Sequence, residues 1–352
     1  MASTVSLFCG CGGADIGLVG GFSYLGQFYK KTGLNIVHAS DIDRKAVETY
    51  NLNFRKKAEV SDIKDLNFEG IIADLIVGGF PCQPFSTVNP TKNPNKRETQ
   101  LFWEMAKTIE KIRPKVFIAE NVPGFYRLHK GKYYKLAKEE FETLGYKIFD
   151  ELLNASNYGI PQLRERIFMV GIREDIGKSF TFPQYTHGPG GIISESKVPL
   201  KKVVKSIIPK DSKYYFSKRA VEGVKKAKKN MKRALAQDLE GQCLTITSHL
   251  AKVSLNSRDP VLLVNGQQEL YRRFTPEEAA GIQSFPDNFQ FAGSEGDAYR
   301  QIGNAVPPVL MWHIAKALVD QIFSENTRQI YKISNFNSII HCNDSCHKHS
   351  TA

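Results

Sequence analysis

Short apolar runs punctuate the first half of the chain: VSLF at 5–8, NIVHAS at 35–40, DLIVGG at 74–79, KVFIAEN at 115–121 and RIFMVGI at 166–172. Runs of this length, rich in β-branched residues and bounded by turn formers, predict buried strands. Between them, apolar positions recur at helical spacing over 44–53, 100–112 and 133–144. Strand followed by helix, repeated, predicts a doubly wound, mostly parallel sheet of the α/β class. The rhythm stops near residue 180, where glycines and prolines between 183 and 191 mark a linker. Helical pattern returns in RRFTPEEAAGIQSFP. There Thr275 caps a helix opened by Pro276, with Glu277 and Glu278 in the turn that favours acids. A last helix over 309–323 is apolar on one face. At 352 residues, two unequal domains are expected.

Charge adds a location to this outline. The formal net charge is +12, and the segment from Lys197 to Arg233, with 14 Lys or Arg against Asp211 and Glu222, accounts for all of it. Tyr214, Tyr215 and Phe216 stand beside it. A basic patch with aromatics is the footprint of a polyphosphate partner. A solvated amphipathic helix, with Val221, Val224, Met231 and Leu235 turned inward, is the competing and compatible reading. The hydrophobic fraction is 41% and no run approaches the length of a bilayer span, which predicts a soluble chain with no membrane partner. The opening MASTVSLFCGCGG has no basic region before its apolar stretch and reads as a strand, not a signal peptide. Six cysteines, at 9, 11, 82, 243, 342 and 346, lack the density of a disulfide scaffold, so a reducing cytoplasm is expected.

The candidate chemistry gathers where strands end. In GGFPCQPFS, 78–86, Cys82 lies between Pro81 and Pro84, which stiffen the backbone on both sides of the thiol. A loop at the carboxyl end of a parallel strand faces the crevice where open α/β sheets bind ligands. An isolated cysteine is more often a small buried hydrophobe, and its standing as a nucleophile depends on partners elsewhere. The first strand runs into LFCGCGGADIGL, where glycines allow close backbone approach and a helix start offers free N–H groups. Asp41 and Asp43 fall at the end of the second strand, where a carboxylate can accept from ribose hydroxyls. Asp62, in SDI, points to the same crevice. This is a nucleoside-binding layout, but the glycine pattern departs from the GxGxxG of dinucleotide enzymes.

Taken together and in order, FCGCGG, DID, SDI, GGFPCQPFS, ENV at 120–122, QLRER at 162–166 and QIGNAVPP at 301–308 resemble the DNA (cytosine-5)-methyltransferases of bacterial restriction-modification systems. The resemblance spans nearly all of residues 5–325. It implies that Cys82 adds to carbon 6 of the target cytosine. Glu120 would hold nitrogen 3 and the exocyclic amine, and Arg166 would contact the base carbonyl with Arg164 as its companion. These types suit the task, because carbon 5 is a poor nucleophile until the ring becomes an enamine-like adduct. An acid raised by burial can take up charge at nitrogen 3, and nearby arginines can favour the thiolate. The base that removes the carbon 5 proton has no sequence signature. The implied cofactor is S-adenosylmethionine. Phe8 would pack on its adenine, Gly10, Cys11, Gly12 and Gly13 would lie by the methionine part, and Asp41 would take the ribose. Ile42, Asp62 and Ile63 would flank the adenine, with Pro81, Leu101, Asn304 and Ala305 closing the pocket. Ile42 stands where some relatives of this kind carry an aromatic.

The resemblance also implies a division of labour. Residues 1–184 and 297–325 would form the catalytic and cofactor-binding domain, 185–296 a target-recognition domain with its hinge, and 326–352 a tail. The substrate would be double-stranded DNA, whose target base must be flipped out to be reached. QCLTITSHLAKVS at 242–254 looks like the recognition core, with Thr245 and Thr247 near the flipped base. Gln83, Ser86, His249 and Arg258 are further DNA-contact candidates, while lysines would hold phosphates. A monomer in the bacterial cytoplasm, on nucleoid DNA, is expected, with a cognate restriction endonuclease as functional partner. A transfer RNA methyltransferase of the same superfamily and an inactive DNA-binding paralogue are the alternatives. No metal site is expected: His341, Cys342, Cys346, His347 and His349 lie in a polar terminus.

Overall fold

The computed structural model describes residues 1–80, 97–127, 131–204, 213–230, 236–252, 260–265 and 270–324, with the backbone alone at 97–100, 224, 227–230 and 265. In chain order the strands are β1 (Ala2–Leu7), β2 (Phe22–Tyr24), β3 (Gln27–Tyr29), β4 (Leu34–Asp41), β5 (Glu59–Val60), β6 (Leu75–Gly78) and β7 (Val116–Asn121). They continue as β8 (Tyr146–Asn154), β9 (Gln162–Leu163), β10 (Glu165–Arg173), β11 (Cys243–Leu244), β12 (Leu262–Asn265) and β13 (Leu270–Arg272). The helices are α1 (Gly13–Val19), α2 (Arg44–Asn53), α3 (Arg97–Ile112), α4 (Pro123–Arg127), α5 (Lys132–Thr143), α6 (Lys218–Asn230), α7 (Pro276–Ile282), α8 (Glu295–Asn304) and α9 (Pro308–Leu318).

The central sheet has seven strands in the order β5-β4-β1-β6-β7-β10-β8. From β5 to β7 all neighbours are parallel, whereas β10 runs antiparallel to both β7 and β8. The fold is therefore the doubly wound, mostly parallel sheet that the alternation of runs predicts. Alternation within each strand explains why both faces are covered. Leu75, Val77, Val116, Ile118, Phe168 and Val170 join one core with α1 and α9, while Ile76, Phe117, Ala119, Ile167 and Met169 join the other with α3 and α5. All five strand expectations land on observed strands. The edge strand β8, YKIFDELLN, was missed because it is only half buried and carries charges along its length.

Helix boundaries follow their capping chemistry. Asp43 accepts from the N–H groups of Lys45 and Ala46 and starts α2. Thr275 and Glu278 form the reciprocal capping box of α7, with Pro276 first in the helix, as expected. The last helix begins at Pro308 and passes beyond Leu318 into a wider π-helical turn over Val319–Phe323. In the basic segment α6 keeps Val221 buried against Val261 and Tyr271. Among the described residues no helix is long and apolar enough to cross a membrane.

One buried acid lies directly beneath the first glycine loop. Ser6 donates to Asp15 Oδ1 at 2.7 Å, and burial pushes the Asp15 carboxyl up to about 6 despite the lowering influence of the Ser6 and Tyr50 hydroxyls. The folded state thus holds this proton more tightly than the unfolded chain. Its contribution to stability is complete below the ordinary carboxylate range and is lost as pH rises towards about 6. Asp15→Asn keeps an acceptor for Ser6 and removes the ionisation. It is expected to stabilise the protein by about 2 kcal/mol at pH 8 and by much less at pH 4, checked by urea denaturation at both values.

Candidate active site

The carboxyl ends of β1, β4, β6 and β7 open on one edge of the sheet, and the loops leaving them build a single cavity of about 560 Å³. Leaving β1, Phe8 takes φ 53°, a left-handed conformation that a bulky residue adopts only under constraint. Gly10 and Gly12 continue the turn at φ 54° and 92°. Asp41 closes this loop from β4: its Oδ2 accepts from Gly10 N–H and its Oδ1 from Asp43 N–H, each at 2.8 Å. Burial raises the Asp41 carboxyl, and these backbone bonds work against the rise. Asp43 pairs in turn with Arg300 of α8, which also holds Asp297 at 3.0 Å. The two cysteines of the loop are buried, and desolvation pushes the Cys11 thiol up to about 12. Neither is poised as a thiolate.

At the other end of the cavity Glu120, on β7, meets Arg166, on β10, with Nε 2.9 Å from Oε1. Both side chains are mostly buried, at 13% and 12% exposure. Burial raises the Glu120 carboxyl above its usual range, and the Arg166 and Arg164 charges oppose that rise without cancelling it. A carboxyl raised by burial and facing a cavity is the kind of group that marks a functional site. Gly79 makes room for it: a Cβ there would stand 2.9 Å from Glu120 Oε2. Asn121 donates to Phe80 O at 3.1 Å and holds the exit of β6 beside β7.

The cavity brings together Phe8, Gly10, Cys11, Gly13, Asp41, Ile42, Asp62, Ile63, Leu101, Glu120, Arg166, Asn304 and Ala305 from the sequence expectations. Gly12 caps α1 just outside the lining, where a side chain would overlap the Phe54 ring. Ile42 is 62% exposed at the rim. Arg164 is buried behind the pair, and its guanidinium donates to three backbone carbonyls, of Ile246, Gly303 and Ala305. Thr245 donates to Leu163 O at 2.7 Å, Thr247 accepts from His249 N–H, and His249 is exposed. Pro81, Cys82, Gln83, Ser86 and Arg258, like the Cys/His-containing tail, lie outside the described residues. No group of metal-ligating side chains occurs among the described residues. Ser6, Asn121, Gln301 and Val306 in the lining, and Gln162 and Gln283 behind it, are site residues that the sequence expectations do not include. Gln162 sits inside the QLRER block, so position alone was a usable signal; Gln283 had none.

Residues 2–320 match the sequence profile of the C-5 cytosine-specific DNA methylases. The chain belongs to this family. Among its relatives, the Type II methyltransferase M.FnuDI of Fusobacterium nucleatum is 31% identical, over 90% of this chain and 94% of the relative. The Type II methyltransferase M.NgoFVII of Neisseria gonorrhoeae is 30% identical, over 93% and 88%. An Entamoeba histolytica methyltransferase shares the fold at a TM-score of 0.71 and 18% identity, covering 92% of this chain and 99% of that one. The methylase is accordingly a C-5 cytosine DNA methyltransferase with the methyltransferase fold.

Breaking the ion pair in this methylase leaves a mostly buried carboxylate uncompensated. Arg166→Met is expected to cost about 3 kcal/mol at pH 8. The loss shrinks at pH 5, where Glu120 escapes the cost by taking up a proton; denaturation curves at the two values check it.

Proposed function

We propose that this methylase transfers a methyl group from S-adenosylmethionine to carbon 5 of a flipped-out cytosine in a specific duplex sequence, with Cys82 as nucleophile. It would act as the modification partner of a restriction endonuclease, as the Type II names of its relatives suggest. The observation that carries this reading is the Glu120–Arg166 pair opening into the same cavity as the glycine loop and Asp41. Cys82 follows Phe80, part of that lining, by two residues.

The residues present fit the cofactor. A cavity of about 560 Å³ suits a ligand of this size. The Asp41 carboxylate, bound to backbone on one side of each oxygen, retains acceptor capacity for ribose hydroxyls. Phe8 and Ile63 offer apolar surface to an adenine, Asp62 accepts a donor from it, and the Gly10–Gly13 loop lets the chain approach closely. The chemistry supplied by the bound cofactor is an electrophilic methyl group.

The rest falls to the protein. The Cys82 thiolate adds to carbon 6, and the displaced ring electrons make carbon 5 nucleophilic. Glu120 in its protonated form donates to nitrogen 3 and accepts from the exocyclic amine, while Arg166 holds the base carbonyl. Once carbon 5 has taken the methyl group, loss of its proton to a base expels the thiolate and restores the ring. Residues 1–184 and 297–325 would carry these steps, and 185–296 would select the sequence as the protein acts as a monomer. Lysines of the 197–233 segment would hold phosphates.

Cys82→Ser is expected to abolish methyl transfer while leaving DNA binding in place, measured by cofactor-derived tritium transfer and by gel shift; turnover by the variant defeats the assignment. A duplex carrying 5-fluorocytosine should trap a covalent adduct, because fluorine blocks the final elimination. Glu120→Gln should lower kcat by about a hundredfold or more, as expected for loss of a general acid. Bisulfite sequencing of a plasmid carrying the gene in an unmethylated host identifies the target; fully converted cytosines in every context would reject DNA as substrate.

A further inference from the structure

We infer that Gln162, Arg164 and Gln283 form a buried clasp that holds segment 243–248 against the active site, and that Arg164 is a positioning residue rather than a cation serving the thiol. The inference rests on the reading of this segment as part of the DNA-recognition surface. Arg164 is 1% exposed. Its Nη1 donates to Ile246 O at 3.0 Å, and its Nη2 donates to Gly303 O and Ala305 O, both at 2.9 Å. Gln162 accepts the Ile246 N–H at 2.9 Å and donates to Gln283 Oε1 at 2.5 Å and to Ile282 O at 3.2 Å. Gln283 completes the circuit by donating to Ala305 O at 2.6 Å.

Both backbone polar groups of Ile246 are therefore bound by the clasp, one by Gln162 and one by Arg164. Thr245 and Thr247 flank it and inherit its position. Among the described residues, the strand pairing that accompanies this attachment is the two-residue contact of β9 with β11. Close approach on the other side is possible because Gly303 has no side chain; a Cβ there would overlap the backbone of Thr247 and Ser248.

The chain leading from β9 into β10 joins the clasp to the chemistry. Gln162, Arg164 and Arg166 are two residues apart in succession, and they reach in turn the recognition segment, the carboxyl end of α8 at 303–305 and Glu120. A guanidinium satisfies three carbonyls from two segments with one planar fork, which a lysine ammonium cannot reproduce. Such a buried charge is costly, and a requirement for fixed geometry is a reason to keep it.

The test uses full-length Arg164→Lys, Gln283→Met and their double variant. Each single change should raise KM for DNA about tenfold with kcat altered little, the loss of a buried hydrogen bond. The double variant should be no worse than the more damaged single, since the residues act as one unit. The acid limb of the kcat/KM pH profile should stay in place. Hydrogen exchange, which needs no DNA, should show about tenfold faster exchange over 243–250 with the central sheet unchanged. Wild-type behaviour of Arg164→Lys, additive effects in the double variant, or a displaced acid limb with unchanged KM each overturns the clasp. If Arg164→Lys does not fold, the uncharged Gln283→Met decides: raised KM and lost protection support the clasp, and wild-type values of both refute it. Wild-type turnover on DNA, run in parallel, reports on the proposed function separately.

Discussion

How closely the last helix is drawn against the first decides whether the active edge exists at all. Gly17, in α1, faces α9 with no side chain, and a Cβ there would overlap the carbonyl of Pro308. At Gly13 a Cβ would lie 2.7 Å from Val306 O. With these positions bare, α9 buries Val309, Leu310, Met311, Ile314, Ala315 and Leu318 and locks down through Val309 N–H donating to Ser284 Oγ and Trp312 Nε1 donating to Lys30 O. The end of α8 and the residues that follow it, 301–306, are thereby laid over the loop that leaves β1. Residues nearly 300 positions apart then wall one cavity.

Ionisable groups buried away from solvent line this strip. Asp15, Asp41, Glu120, Arg164 and Arg166 all titrate away from their ordinary ranges, and desolvation is the leading cause in each. The buried Arg272–Glu278 pair offers a contrast. Two guanidinium nitrogens meet two carboxylate oxygens there, at 2.7 and 2.8 Å, and the same carboxylate closes the α7 capping box. That pair is engaged in holding a helix start and is almost fully buried. The Glu120–Arg166 pair is bound through a single contact near 3 Å and lines a cavity, an arrangement that leaves room for a third party.

Much of this was legible in the sequence, for reasons that differ by residue. Strands β1, β4, β6, β7 and β10 are read because their inner positions are mostly apolar and gathered in short runs, and α2 matches its expected limits because Asp43 is a strong cap. The site residues that sequence could name are those embedded in short, ordered blocks: Asp41, Glu120, Arg166 and Asn304. What stayed hidden depends on contacts between distant segments. Nothing near Gln283 marks it as a partner of Gln162, and nothing near Arg164 says that its charge is spent on carbonyls. Strand β8 was invisible for a different reason, since an edge strand needs no continuous apolar run.

The reversal of β10 is the least predictable feature and the most consequential. In a wholly parallel sheet the residues at a strand's beginning lie at the edge opposite the ligand crevice. Because β10 is antiparallel to β7, its beginning is brought to the crevice edge, with Phe168 opposite Glu120 and Ile167 opposite Asn121. Arg166 is two residues before Phe168 and so shares its face, placing the guanidinium diagonally from the Glu120 carboxyl within reach of a long side chain. The same geometry carries Gln162 and Arg164 away from the sheet, along the chain leading into β10, toward 243–248. One inverted strand thus makes the QLRER block a bridge between the Glu120 carboxyl and the 243–248 segment. In the observed direction it is Arg173, at the end of β10, that lies at the far edge of the sheet, where its N–H donates to Lys115 O and it pairs with Tyr146.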